Sequence, residues 1–407
     1  MYRLQRFQVL LAGVFSQILC IGIARFAYTP LLPVMQAETW LGDAEGGWLA
    51  AINYSGYMCG ALLAASISDL HLKDRLYRVG LILAIFSTLG MALADNFLLW
   101  SSMRFLAGLS SSASMLIASG LILNWLIRHN QRSELGIHFA GVGIGIIFAA
   151  LAVEWMLRSQ QSWDAQWFGL ALIGGVLLLP AWRWLPRPDP FPSGQSSQTM
   201  ADQPPTARFM WAMQAAYFCA GYGYVVSATF IVAIVERVPE LQGQGTWVFA
   251  VLGLGAAPSV IIWDLVARRT GYLNALILAM LLKIVSILLP VWDTRAEMVF
   301  LSAFIFGVTS IGCVGLVLTM AGRLYPSRPA KLMGRMTLSY GVAQVFAPAL
   351  TGILAARSGD YNLGLIIAGS VMCLGTLLIL LLKLTDATAQ RLDESSRAQR
   401  ASLAVKN

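Results

Sequence analysis

Apolar residues along this chain come in runs of about 20, the length at which a helix crosses a ~30 Å hydrocarbon core. Read between charged residues and Pro or Gly punctuation, twelve runs emerge: 7–35, 46–69, 76–94, 97–124, 134–157, 164–184, 208–236, 244–266, 272–292, 297–322, 332–356 and 361–382. Their repetition predicts an all-α membrane protein, a bundle of twelve transmembrane helices. A cleaved leader is not expected, because the first run is too long and continues through Pro33.

Most connections between runs are short. The longest, 185–207, is rich in Pro, Ser, Gln and Asp and reads as a flexible polar linker. The expected organisation is therefore an N-terminal six-helix bundle (1–184), a cytoplasmic linker (185–207), a C-terminal six-helix bundle (208–382) and a polar cytoplasmic tail (383–407).

Lys and Arg alternate strictly between connections. One set, including Lys73, Arg75, Arg78, Arg128, Arg132, Arg268, Arg269, Arg323, Arg328, Lys331 and the tail, holds 21 basic residues, against four in the other set (Arg158, Arg237, Arg295 and Arg357). That bias predicts that both termini are cytoplasmic, in what is expected to be a bacterial inner (plasma) membrane.

Composition sharpens this picture. The chain of 407 residues is 57% hydrophobic and 12% charged, about half the ~25% charge that a water-facing surface carries. The net charge of +8 would suggest nucleic acid if it were clustered, but its alternation makes it a topology signal with lipid contact as a by-product. Nucleic-acid binding is excluded on that ground. The five cysteines lie within apolar runs without CxxC pairing, and the three histidines lack metal-ligand spacing. No metal or cofactor is implied. A membrane enzyme would need convergent His, Asp or Ser groups near an interface, and a sensor would need a larger output domain than the tail after Lys383.

The two halves repeat at an offset of 199 residues: Cys20 and Gly22 match Cys219 and Gly221, Trp48 matches Trp247, and Phe105 and Gly108 match Phe304 and Gly307. With one residue of slippage, Gly136 and Phe148 match Gly334 and Phe346. Parallel six-helix repeats predict a binding site at their interface near mid-membrane.

These features together resemble the major facilitator architecture over the whole chain. Ala65, Asp69, Lys73, Arg75 and Arg78 form a degenerate version of its motif between helices 2 and 3, where Asp69 is a gating candidate. Asp264 with Arg268-Arg269-Thr-Gly271 echoes it, and Arg104-Phe-Leu-Ala-Gly108 fits its RxxxG pattern. More specifically, the segments Gly22 to Pro33, Gly221 to Phe230 and Gly341 to Pro348 resemble the YbfB/YjiJ-type family of bacterial major facilitator transporters. The resemblance implies secondary transport by alternating access, with helices 1 and 4 lining the cavity and helix 9 peripheral.

Membrane-buried charge is the sharpest functional clue, since each charge costs ~2.5–3.5 kcal/mol at a helix centre on insertion scales. Only Arg25, Arg104 and Lys283 remain after the loops are counted. Arg25 is expected ~15 Å and Arg104 ~10 Å from the outer end of their helices, at comparable depth. Their repeat counterparts are Tyr224 and Ala303, and no Asp or Glu lies centrally in any run. A guanidinium fork suits a carboxylate or phosphate. The expected partner is therefore a small-molecule substrate, a carboxylate-bearing organic anion or an amino-acid-like zwitterion. Two readings of Arg104 stand at this point, substrate contact or capping and gating. Lys283 is expected to snorkel or contact lipid.

Tyr28, Asn53, Tyr57, Tyr217, Tyr224 and Gln344 complete the candidate binding set. Asp69, Arg104, His138 and Glu154 form the candidate gating and coupling set, with a proton as the candidate coupling ion. The chain is expected to act as a monomer among membrane lipids. The competing reading is a drug or metabolite exporter with a mainly apolar cavity.

Overall fold

A computed structural model of the chain describes residues 2–129, 131, 135–188, 204–325 and 329–392. Most of the linker (189–203), the tail from 393 onward, Arg132 and Arg328 lie outside the described residues, as do the side chains of Arg3 and Lys331. No strand occurs among the described residues. Twelve long helices follow one another among them. α1 runs over 2–38 and contains a π-helical stretch, Ile18–Phe26. Then come α2 (Asp43–Ser66), α3 (Leu70–Met91) and α4 (Phe97–Arg128, with a π-helical turn at Ala113–Ile117). α5 (Gly136–Arg158), α6 (Trp163–Arg183) and α7 (Ala207–Glu236) follow. α8 is split into Gly245–Ala256 and Ser259–Thr270, and α9 (Tyr272–Trp292), α10 (Ala296–Leu324), α11 (Pro329–Ser358) and α12 (Asn362–Thr385) complete the bundle.

Among the described residues nine helices are long and apolar enough to cross a membrane, and ten if α8 counts as one span bent by 42°. Pro258 lies at that break, where a missing N–H loosens the helix. The other two, α2 and α3, have spanning length at 24 and 22 residues. Their ends are more polar: α2 opens with Asp43 and Glu45, and α3 carries Lys73, Asp74, Arg75 and Arg78 in its first turns. Arg78 and Asp74 pair at 3.1 Å, and Arg78 also donates to the Trp182 and Leu185 carbonyls, so these charges serve the end of α6.

Backbones meet at several of the tightest helix crossings, as expected where lipid removes the hydrophobic incentive to associate. A Cβ placed on Gly56 would lie 2.0 Å from the Phe105 carbonyl oxygen, and one on Gly108 would lie 1.9 Å from that of Asn53. The crossing of α8 and α10 repeats this 199 residues later, with Gly255 against the Phe304 carbonyl at 2.5 Å and Gly307 against that of Leu252 at 2.0 Å. Gly22 on α1 and Gly221 on α7 also correspond, approaching the Gly145 and Tyr340 carbonyls, each at 2.6 Å. The sequence repeat is thus a repeat of helix contacts. Gly108→Val, which overfills such a crossing, is expected to reduce the yield of monodisperse protein in size-exclusion chromatography. Gly120→Val on the same helix, with no atom within 4 Å of the new Cβ, is expected to leave it unchanged.

The chain alternates between two ends of the bundle. Among the described residues, the turns at 67–69 and 271, with residues 129, 131, 135 and 325, share the basic end, and those at 39–42, 159–162, 237–244, 293–295 and 359–361 share the opposite end.

Candidate functional site

A cavity of about 440 Å³ runs from the middle of the bundle toward the basic end. Arg25, Tyr57, Tyr217, Tyr224, Tyr340 and Gln344 line its inner part, while Leu135, Thr319 and Met333 lie toward its mouth. Helices from both halves of the chain contribute. Among the described residues lining it, none is Asp or Glu.

Arg25 owes its position to the irregular stretch of α1. Pro30 has no N–H to offer the Phe26 carbonyl, so regular α-helical bonding fails there. The Ala27 N–H instead reaches back five residues to the Gly22 carbonyl at 2.8 Å. This widened turn carries Arg25 to the cavity, where the side chain is only 6% exposed. Its guanidinium carbon lies 4.5 Å from the ring centroids of both Tyr54 and Tyr57 and 5.3 Å from that of Phe26. Ring faces attract a cation but accept no strong hydrogen bond. The Nε atom is buried and has no hydrogen-bond partner.

Arg104 has a different setting. Its Nη1 donates to the carbonyls of Ala24 (3.2 Å) and Arg25 (3.1 Å), and its guanidinium carbon sits 4.3 Å from the Tyr28 ring centroid. It is buried behind the cavity wall, with the backbone carbonyls of the widened α1 turn as its acceptors. Tyr28 donates its hydroxyl to the Gly46 carbonyl at 2.9 Å, and Asn53 donates its amide to the Arg104 carbonyl at 2.8 Å. Arg104, Tyr28 and Asn53 therefore form a layer behind Arg25 that fixes α1 against α2 and α4. Of the eight candidate binding residues, the structure brings Arg25, Tyr57, Tyr217, Tyr224 and Gln344 to the cavity and keeps these three outside its lining.

Across from Arg25 stands an aromatic wall. Tyr217 and Tyr340 have ring centroids 4.6 Å apart, Tyr224 and Tyr340 6.1 Å apart, and Tyr224 stacks on Phe306 at 5.9 Å. One turn along α11 from Tyr340, Gln344 is buried with its Oε1 unpartnered. Tyr340 is absent from the residues that sequence reasoning selects, although its spacing of four from Gln344 puts both on one face of a helix.

The gating candidates separate by end. Asp69 caps α3, accepting from the His71 and Leu72 N–H groups at 3.1 Å each. His138 is fully buried, with Nε2 3.0 Å from the Gln17 amide nitrogen and 2.9 Å from the Ser119 hydroxyl. Ser119 itself lines the cavity. Glu154 joins α5 to α8 at the opposite end, accepting from Thr246, from Trp247 at 3.2 Å and from Arg158 at 2.8 Å.

That opposite end is closed. Gly47 and Gly352 bring α2 and α11 into backbone contact, so that a Cβ on Gly47 would lie 2.4 Å from the Pro348 carbonyl oxygen and one on Gly352 2.4 Å from that of Asp43. Asp43 accepts from Arg237 (2.5 Å), Tyr361 (2.9 Å) and Gln36 (2.8 Å), and Thr29 on α1 donates to the Ala228 carbonyl on α7 at 3.0 Å. Deeper in the bundle, α5 and α8 also meet backbone to backbone, with a Cβ on Gly143 2.2 Å from the Ala257 nitrogen.

One expectation is corrected. Lys283 does not snorkel to lipid: its side chain is fully buried. The stem runs inward from α9 and the amine lies 5.5 Å from the Tyr224 ring centroid and 5.6 Å from that of Phe306, with no hydrogen-bond partner. Quadrupole attraction from the two rings replaces the lipid-headgroup contact that snorkelling would supply.

A family model described as "Uncharacterised MFS-type transporter YbfB" matches residues 17–380. Among curated proteins, the uncharacterized MFS-type transporter YceJ of Bacillus subtilis is 27% identical over 66% of this chain and 69% of its own length. The cis,cis-muconate transport protein of Acinetobacter baylyi is 21% identical over 83% of this chain and 84% of its own. The uncharacterized transporter mfc1 of Schizosaccharomyces pombe is 26% identical over 32% of this chain, a match that spans only 26% of that relative. In three dimensions, a point mutant of the nucleoside transporter NupG superimposes with a TM-score of 0.73 at 12% identity, covering 92% of this chain and 99% of that one. At that identity the likeness speaks for the fold, which agrees with the twelve helices described above. With the family model spanning nearly all of the helical bundle, this chain belongs to the YbfB-type family of major facilitator superfamily transporters, and is a multi-pass membrane protein of that class.

Proposed function

We propose that the protein is a secondary transporter that carries a small carboxylate-bearing solute across a bacterial inner membrane by alternating access. The observation that carries this reading is Arg25: a buried guanidinium at the cavity surface, held over two tyrosine rings, with no acidic partner among the described residues and a free Nε donor. A guanidinium so placed has its in-plane donors to offer a planar oxyanion, and a buried bidentate pair is among the stronger polar contacts available. Leaving such a charge uncompensated is costly in lipid. Binding an anion relieves that cost.

The rest of the lining narrows the solute. Ile21, Phe26, Met115, Leu116 and Val142 give much of the cavity an apolar surface, and the tyrosine wall faces Arg25. This combination suits an organic acid with an apolar or unsaturated body better than a zwitterion, whose ammonium would find no carboxylate there. A relative named as a cis,cis-muconate transport protein is in keeping with this.

The two bundles, 1–184 and 208–382, are the bodies that rock about the cavity. With both termini cytoplasmic, the basic end faces the cytoplasm, so the present conformation is inward-facing with its outer side shut by α2 against α11. Arg104 positions Arg25 through the α1 carbonyls, and Glu154 belongs to the outer closure.

The apolar lining also favours the second reading, an exporter of lipophilic compounds. A thermal-shift screen of purified protein against aliphatic and aromatic carboxylates, amino acids, sugars and lipophilic cations separates the two. Stabilisation by carboxylates supports the proposal. Stabilisation by lipophilic cations alone, with resistance to them on overexpression, favours the exporter.

A further inference from the structure

Lys283 is a buried, charge-bearing group for which anion recognition by Arg25 has no use. It sits behind the cavity wall with its amine unpartnered, on the rings of Tyr224 and Phe306. Tyr224 lines the central cavity, which runs toward the basic end. Phe306 lines a second, narrow crevice of about 20 Å³, roughly the room one water molecule needs. That crevice leads toward the opposite end past Val299 and Leu241, and the hydroxyl-bearing residues Ser227, Ser286 and Ser302 line it. Ser302 donates to the Ser286 carbonyl at 2.6 Å, and Ser286 to the Lys283 carbonyl at 2.8 Å. The amine thus lies against two rings stacked on each other, one lining the central cavity and the other a mainly apolar crevice that holds these serine hydroxyls.

Few groups compete for it. From α10 the Cys313 thiol lies within electrostatic reach, and from α7 the Tyr224 phenol faces it. On α8, Asp264 is paired with Arg268 at 2.8 Å on an exposed face. On α12, Cys373 is exposed and Lys383 bonds to Asn274 near the basic end. No described carboxylate pairs with Lys283.

An amine can release a proton where a guanidinium cannot, so Arg25 and Lys283 suit different tasks. We propose that Lys283 is the proton-carrying residue of this transporter. It takes a proton from the aqueous phase on one side of the membrane and returns it to the other as the Tyr224 and Phe306 rings open in turn. The proton is taken up and released at the same Nζ, and no electron moves. Bound anion in the central cavity stabilises the protonated amine, and by linkage protonation strengthens anion binding to the same extent. The direction of coupling is symport of an anion with a proton. This rests on the anion reading of the cavity, but the proton step itself can be measured without any solute.

The test is a pH jump on proteoliposomes of the full-length protein adsorbed on a solid-supported membrane, with no organic solute present. The wild-type protein is expected to give a transient charge displacement. Lys283→Met and Lys283→Arg, the latter keeping the charge but unable to release a proton, are expected to lose it. Both variants are checked for wild-type elution in size-exclusion chromatography, so loss of signal cannot be loss of fold. Gly120→Val, where an added Cβ meets no atom within 4 Å, is expected to keep the transient. A wild-type protein that gives no transient, or a correctly eluting Lys283→Met or Lys283→Arg that retains it in full, overturns the proposal. Anion binding that survives Arg25→Ala would instead sink the cavity reading while leaving the transient assigned to Lys283.

Discussion

Replacing Arg25 by alanine is expected to abolish transport of a carboxylate solute while leaving the amount of folded protein in the membrane unchanged. Hydrogen bonds to a charged group contribute about 1.5–3 kcal/mol each, so losing a bidentate pair weakens binding by about two orders of magnitude or more. Folding should not suffer. Arg25 touches ring faces rather than buried acceptors, and its Nε has no partner to strand. Arg25→Lys restores the charge but not the planar fork, so it should recover only part of the activity. Uptake by proteoliposomes, normalised to reconstituted protein, measures both variants. An alanine variant that transports at the wild-type rate would remove Arg25 from the site.

The second large effect concerns the outer closure. Gly47 and Gly352 face each other across α2 and α11, where an added Cβ meets backbone rather than a movable side chain. Valine at either position forces the two helices apart at the end that is shut in this conformation. Each helix keeps its other crossings, α2 with α4 through Gly56 and α11 with α7 through Gly221, so the protein should still fold. Overpacking of this kind costs about 1–3 kcal/mol, enough to shift a balanced two-state equilibrium by about 5- to 150-fold. Gly47→Val and Gly352→Val are therefore expected to populate the outward-open form and to slow transport. Distances between spin labels at positions 39 and 242, in the two outer turns, should lengthen. Labels that keep the wild-type distance would show that these glycines do not set the closure.

What lipid imposes on the chain is what can be read from its sequence. Length and alternating basic charge place the helices, because apolar runs of about 20 residues satisfy their backbone in a bilayer as helices. The repeat at 199 residues is legible for the same reason: Gly56 and Gly108, like Gly255 and Gly307, are needed where backbones touch. Arg25 stands out as an uncompensated charge. The division of labour between Arg25 and Arg104 is not legible, since it depends on the widened turn of α1 turning two carbonyls toward Arg104. Equal depth along two helices does not say which guanidinium faces the cavity. The burial of Lys283 is hidden too, because helix order says nothing of which way a long side chain runs from a peripheral helix. Tyr340 escapes notice because tyrosines are frequent here and only the tertiary pairing with Tyr217 and Tyr224 singles it out.

Whether Arg25 recognises a carboxylate is tested most directly by a ligand-by-mutant cycle. The affinities of the best carboxylate from the screen and of its uncharged primary amide are measured for the wild-type protein and Arg25→Ala by isothermal titration calorimetry. The wild-type protein is expected to prefer the carboxylate by at least about tenfold, or 1.4 kcal/mol, and this preference is expected to disappear in Arg25→Ala. A preference of the same size in both proteins would contradict the assignment of Arg25 as the anion anchor.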